Sequence, residues 1–298
     1  MARKRRGRPI SGWLILDKEA GQTSAQAVAA VRRITGAAKA GHGGTLDPLA
    51  TGVLPIALGE ATKAMSFTLE RGKSYRFAVR WGEERDTDDA EGQVVATAPA
   101  RPQASAIEAA LALFRGAIEQ RPPSFSAIKV EGQRAYKLAR EGEALVLAAR
   151  AVTIHRFALI AHPDADTAHF EVDCGKGTYV RALARDLGRH LGCLGHVISL
   201  RRTRVGGFDE SQAISLAKLG DLWHGPAPFE HLLPIETALD DIPALALTGP
   251  QADRLRSGQT VRVLDADDGI VCAMNAGKPV ALAEAAGGDV RPVRVFNL

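Results

Sequence analysis

Cysteine is scarce in this 298-residue chain: Cys174, Cys193 and Cys272 are odd in number and far apart. No Cys-x-x-Cys pair occurs, which excludes a disulfide scaffold and points to a reducing compartment, the cytoplasm. Apolar runs are also short, and none approaches the roughly 18 residues that mark a membrane span. The basic start passes through Pro9 and Ile10 into a strand-like segment without the apolar core of a secretory signal. No internal repeat is visible. The densest glycine loop is not followed by Lys-Ser or Lys-Thr, which excludes a P-loop. What the chain does have is 46% hydrophobic and 24% charged residues, the composition of a folded protein rather than a disordered one. Its length can bury a core without disulfides or structural metals, as one large domain or two unequal ones.

The formal charge is +4, but Arg3, Lys4, Arg5, Arg6 and Arg8 carry +5, leaving −1 for the rest. That remainder is polarised. Residues 83–91 sum to −5, while residues 176–204 sum to +6. Arg181, Arg185 and Arg189 recur every four residues, which aligns them on one face of a helix. Beside the turn Cys174-Gly175-Lys176-Gly177-Thr178, this one-signed stripe is a candidate phosphate-binding face.

Residues 1–10 read as a disordered basic tail. Trp13 to Leu16 is a buried strand, and Thr23 or Ser24 caps a helix that stops at Gly36. Val53–Leu58 is strand-like, and Glu60–Leu69 is helical. Tyr75, Phe77, Val79 and Trp81 alternate with smaller or charged residues, as in a half-buried strand. An acidic turn and a return strand near Val94 follow, then a helix over Ala104–Phe114. Residues 121–150 are irregular, and strands follow near Val152–Ala161 and Ala168–Cys174. A helix spans Tyr179–Leu191 and a strand His196–Arg204. Prolines punctuate 219–250 as a linker, and four short β pieces end the chain. This order predicts an α+β fold with a large mixed, mainly antiparallel sheet flanked by helices, plus a small β-rich module.

The segment Gly41-His42-Gly43-Gly44-Thr45-Leu46-Asp47-Pro48-Leu49-Ala50-Thr51-Gly52 stands out, because its glycines let the backbone approach a ligand closely. Taken alone, Asp47-Pro48 reads as a helix N-cap followed by proline at N1 rather than as a functional carboxylate. His42 alone reads as a turn or core residue, Asp17-Lys18 as a solvated pair, and Tyr75 as core.

The chain resembles the bacterial tRNA pseudouridine synthase B family in several pieces that occur in order. These are Gly12-Trp13-Leu14-Ile15-Leu16-Asp17-Lys18, residues 41–63, Lys73-Ser74-Tyr75, and Asp86-Thr87-Asp88-Asp89-Ala90-Glu91-Gly92. Cys174 to Arg181 and Leu200-Arg201-Arg202 complete the series. The resemblance implies the pseudouridine synthase fold over 11–235; within it 121–150, with Lys129, Arg134, Tyr136, Lys137 and Arg140, reads equally as an RNA-gripping insertion or as an ordinary solvated helix. The resemblance also implies a linker and PUA-like RNA-binding module over 236–298. It makes Asp47 the catalytic residue and Arg181 its partner. Tyr75 becomes the residue stacked on the target base, and Tyr179 and Leu200 line the base pocket. His42 helps hold the flipped-out loop, and Lys18 lies near the site. Gly43 replaces the usual Thr, which frees the loop there, and Glu19 replaces the usual Pro.

The implied reaction is isomerisation of uridine 55 in the T-loop of tRNA. Reactant and product contain the same atoms, so no cofactor or metal is expected. The implied partner is the tRNA T-arm, with no membrane, guide RNA or obligatory protein partner, and the protein acts as a monomer. Three routes stay open: attack of Asp47 at C1′, attack at C6 of the base, or proton loss from C2′ through a glycal. A tRNA chaperone without chemistry is the rival class, and a guide-RNA-dependent relative is a third possibility.

Overall fold

The structure, a computed structural model, describes residues 7–126, 128–130, 132–141, 147–226 and 228–298, and omits the side chains of Leu69, Lys129, Arg134, Lys137 and Arg140. The cationic part of the insertion therefore lies largely outside the described residues, as does most of the basic tail.

A nine-stranded sheet forms the centre. Its strands are β1 (Gly12–Lys18), β2 (Ala40–His42), β3 (Thr51–Leu58), β4 (Lys73–Trp81), β5 (Gly116–Gln120), β6 (Arg150–Asp164), β7 (Thr167–Cys174), β8 (Gly195–Val205) and β9 (Phe208–Asp209). The spatial order is β1-β3-β8-β4-β7-β6-β5, with β2 on β3 and β9 on β8. Only β3 and β8 run parallel, with Arg201 opposite Thr51 and Arg202 opposite Gly52. The expected mixed, mainly antiparallel sheet is thus present.

β4 lies between β7 and β8, and its alternation sends Tyr75, Phe77, Val79 and Trp81 into the core while Arg76 and Arg80 stay exposed. Phe77, Phe157 and Phe170 from three adjacent strands pack within 6 Å of one another, ring centroid to centroid. Helix α1 (Ser24–Thr35) begins at a capping box formed by Thr23 and Gln26 and ends at Gly36 with φ of 66°. Helices α2 (Ala104–Leu111) and α3 (Val180–His190) add Ile107, Leu111, Leu183 and Leu187 to the same core. The expected helix over 60–69 is instead two short pieces, Gly59–Lys63 and Met65–Glu70, broken at Ala64.

The proline-marked stretch at 219–250 packs as much as it connects, which corrects the linker reading. It contains the end of helix α4 (Leu216–Trp223), and Leu233 exchanges backbone hydrogen bonds with Trp13. Ile235 accepts the Trp13 indole N–H at 3.2 Å. Beyond it lies a five-stranded sheet of β10 (Ala244–Ala246), β11 (Val261–Arg262), β12 (Gly269–Asn275), β13 (Lys278–Ala286) and β14 (Asp289–Val295), crossed by helix α5 (Gly249–Arg256). Cys272, Leu282 and Phe296 of this module share a buried cluster with Trp13, Ile15, Val53 and Phe208. Among the described residues, no helix is long and apolar enough to cross a membrane.

Candidate active site

Asp47 caps no helix; its loop runs directly into β3. Every carbonyl from residue 44 to 48 is held instead. Arg202 donates to Gly44 O at 3.0 Å and Thr45 O at 3.2 Å. The Ser24 hydroxyl donates to Leu46 O and accepts from Leu46 N–H, at 2.9 and 2.8 Å. Ala50 N–H donates to Asp47 O, and both Gly21 N–H and the Lys18 ammonium donate to Pro48 O. A loop so fully satisfied presents the Asp47 side chain in a fixed direction. At the loop's end Gly52 has φ of 97°, and a Cβ there would meet Arg202 O at 2.2 Å. Only glycine fits that crossing.

Across from the loop, Arg181 at the start of α3 donates from Nε to Asp47 Oδ2 at 2.9 Å. Its other nitrogens donate to Thr87 O at 2.7 Å and Phe125 O at 3.0 Å, and Asp89 lies 3.5 Å from Nε. Arg181 is 4% exposed, whereas the Asp47 side chain remains 35% exposed. Burial alone would lower the arginine's pKa, but Asp47 and Asp89 outweigh it and the net shift is upward. The guanidinium is a permanent cation that aims an accessible carboxylate.

Asp47 and Arg181 form the wall between two cavities. One, of about 260 Å³, is lined by Asp47, Tyr75, Tyr179, Arg181, Leu200 and Arg202, among others. The other, of about 660 Å³, is open to His42, Asp89, Phe125 and Tyr136. Five of the seven expected site residues therefore meet in the smaller cavity. His42 lines only the larger one, and burial together with the Arg202 charge pushes its pKa down, so the imidazole is neutral at pH 7. Lys18 lines neither cavity. It is 1% exposed beneath the loop and donates to the carbonyls of Glu19, Gln22 and Pro48.

Tyr75 is buried and its hydroxyl is pushed up to about 12, chiefly by desolvation, so the phenol stays protonated. Tyr179 is held by Gln120, whose side-chain amide accepts from Tyr179 N–H at 2.8 Å and donates to Tyr179 O at 3.0 Å. The Arg150 guanidinium sits 5.1 Å from the Tyr179 ring centre and also donates to Gly177 O. Gln120 and Arg150 are direct cross-strand partners on β5 and β6.

Two sequence readings are corrected here. The arginine stripe of α3 is not a phosphate face. Arg185 is buried and pairs with Asp88 at 2.8 Å, and Arg189 pairs with Glu84. The basic helix and the acidic turn thus pair across the fold, and for Arg181 and Arg185, which are buried, an unpaired charge would be costly. Nor is the loop freed by Gly43, whose N–H donates to Pro55 O at 2.8 Å and where a Cβ would crowd Thr68. Gln120 and Arg150 carried no individual signal in the sequence, Ser24 stood out only as a possible helix cap, and Asp89 only within a matched motif. Arg202 stood out there only as part of a matched motif.

Comparison with known proteins places this architecture. A chain of an H/ACA ribonucleoprotein bound to a substrate RNA containing 2′-deoxyuridine superposes with a TM-score of 0.76. It is 25% identical, over all of this chain and 92% of that one. A chain of a Cbf5–Nop10–Gar1 complex gives 0.75 at 26% identity, covering 96% and 84%. The fold is that of a pseudouridine synthase.

The chain belongs to the TruB family of pseudouridylate synthases, whose N-terminal domain profile matches residues 32–180. The tRNA pseudouridylate synthase B C-terminal domain profile matches residues 181–240. It is 55% identical to tRNA pseudouridine synthase B of Rhodopseudomonas palustris, over 99% of this chain and 83% of that protein. Identity to the Caulobacter vibrioides protein of the same name is 50%, with both chains fully covered.

Proposed function

We propose that this protein converts uridine to pseudouridine at position 55 in the T-loop of tRNA, acting in the cytoplasm as a monomer without a cofactor or guide RNA. The observation that carries the reading is an accessible carboxylate, Asp47, held by Arg181 at the rim of a cavity of about 260 Å³ lined by Tyr75, Tyr179 and Leu200. The resemblance of the whole chain to proteins named tRNA pseudouridine synthase B supports the substrate.

A uridine in a folded loop must leave its stack, at a cost of a few kcal/mol. Tyr75 and Tyr179 line the receiving cavity, and stacking typically returns about 1–3 kcal/mol per base. Leu200 covers the base from β8 and excludes water. Asp47 stands beside the ribose and meets the electron deficiency at C1′, by bonding to it or by taking the C2′ proton, or it attacks C6 of the base. The base then turns and rejoins C1′ through C5; the C5 proton is lost and N1 gains one, so the atoms balance with no redox step. His42, neutral in the larger cavity, faces the rest of the everted loop, and Lys18 holds the Asp47 loop from below. The C-terminal β module contacts the body of the tRNA.

The test is pseudouridine mapping in tRNA transcript treated with each protein. Wild type converts uridine 55, and Asp47→Asn abolishes conversion with tRNA affinity held within a few-fold. Residual conversion by the variant would remove Asp47 from the chemistry, and matched loss of binding would make it a structural residue. A guide-dependent reading is favoured by the likeness to chains from H/ACA particles. Activity on naked transcript excludes it, and activity only with added guide RNA would establish it.

A further inference from the structure

Arg202 is the most deeply buried cation lining the smaller cavity, at 1% exposure, and among the described residues it forms no ion pair. Its neighbours on β8, Arg201 and Arg204, face carboxylates at Asp17, Glu210 and Asp173. Arg202 instead spends its hydrogen bonds on neutral carbonyls, Val53 O at 2.8 Å, Gly44 O and Thr45 O, and lies against the Tyr75 hydroxyl. These partners fix its position and none of them is a carboxylate; Asp47 acts on the charge only from beyond ion-pair distance. A buried charge with no carboxylate in contact is expensive and needs a compensating use.

All three routes for the isomerisation create the anionic partner such a cation would serve. Cleavage of the N1–C1′ bond leaves its electron pair on N1, and the negative charge spreads over the ring and its two carbonyl oxygens. Attack at C6 likewise drives charge toward O4. We propose that Arg202 supplies the preorganised positive field that stabilises negative charge on the uracil ring while the ring is detached or attacked. Arg181 cannot fill this place, because its charge is already matched by Asp47 and Asp89. The same guanidinium grips the loop on both sides of Asp47 and abuts Tyr75, so the field, the carboxylate and the stacking ring keep one geometry. Fixed charges of this kind act strongly in a site that excludes water, since they need no reorganisation during the reaction. The inference rests on the uridine-isomerising reading of the site.

The experiment compares tRNA transcripts carrying uridine or 5-fluorouridine at the target position, in single turnovers read as loss of the N-linked nucleoside. Fluorine withdraws electrons from the ring and lessens its need for external stabilisation. Arg202→Gln is expected to slow the uridine substrate by about 10²–10³-fold, with tRNA affinity unchanged within threefold. On 5-fluorouridine the loss should be at least tenfold smaller. Arg202→Lys keeps the charge and should keep the wild-type ratio between the two substrates, even if its absolute rate falls through the lost carbonyl fork. Equal slowing of both substrates by the glutamine variant would overturn the proposal by reducing Arg202 to a structural brace. If the glutamine variant does not fold, a lysine variant whose ratio departs from wild type would overturn it as well. Failure of wild type to form pseudouridine would instead remove the underlying functional reading.

Discussion

Lys18 shows how one buried group sets both geometry and pH response. Its ammonium donates to three carbonyls, which favours the charged form, but burial outweighs them and the pKa falls to about 8 from 10.5. Below pH 8 the group is charged both folded and unfolded, and the cost of burying it is fully present. Between pH 8 and 10.5 the folded state releases its proton first, so the unfolded state binds more protons and this group's contribution to stability rises with pH. The difference in unfolding free energy between wild type and Lys18→Met is therefore expected to grow in favour of wild type, by on the order of 1–2 kcal/mol between pH 7.5 and 9.5. Urea denaturation at the two pH values measures it. A difference that stays flat would show that Lys18 does not titrate in this window.

Helix α3 is where charge pattern and charge function diverge. Its spacing correctly places Arg181, Arg185 and Arg189 on one face, but that face is paired to the acidic turn, buried at Arg181 and Arg185 and half-exposed at Arg189. Arg185→Ala strands the buried Asp88 carboxylate and is expected to cost about 3–5 kcal/mol of stability. Arg189, half-exposed, should cost no more than about 1 kcal/mol on the same substitution. Neither change should flatten the salt dependence of tRNA binding, because neither guanidinium is a free phosphate contact. Thermal or urea unfolding separates the two variants. Comparable small losses with a shallower salt slope would restore the RNA-face reading.

At the scale of the molecule, the C-terminal module is seated on the central sheet by shared apolar surface. Phe296 is 1% exposed in the cluster that also holds Trp13, Phe208 and Ile235. Lys63 donates to Val295 O at 2.7 Å, and Asn297 N–H donates to Glu60 at 2.8 Å, closing the seam with polar contacts. Phe296→Ala is expected to lower stability by about 3–5 kcal/mol, and calorimetry of the wild type should show one cooperative transition. Two well-separated transitions would mean that the module folds independently of the sheet.

Much of this was legible in the chain itself, because local rules act over a few residues. Period-2 alternation marked β4, and a cap at Thr23 or Ser24 with the stop at Gly36 bounded α1. The glycine-dense loop and its family likeness singled out Asp47. The likeness also implied Arg181 as its partner, and the tertiary structure supplied the 2.9 Å contact across 134 positions. Tertiary structure alone decided that Ser24 clamps the loop while Thr23 caps the helix, and that Gln120 and Arg150 hold Tyr179 from paired strands. The physical reason is that a side chain's partner depends on which distant backbone lies within a few ångströms of it, and charge sign along the chain does not encode that distance. Asp88 and Arg185 looked like members of opposite patches and became one ion pair, whereas Arg202 looked like another surface arginine and became a buried cation facing the base cavity.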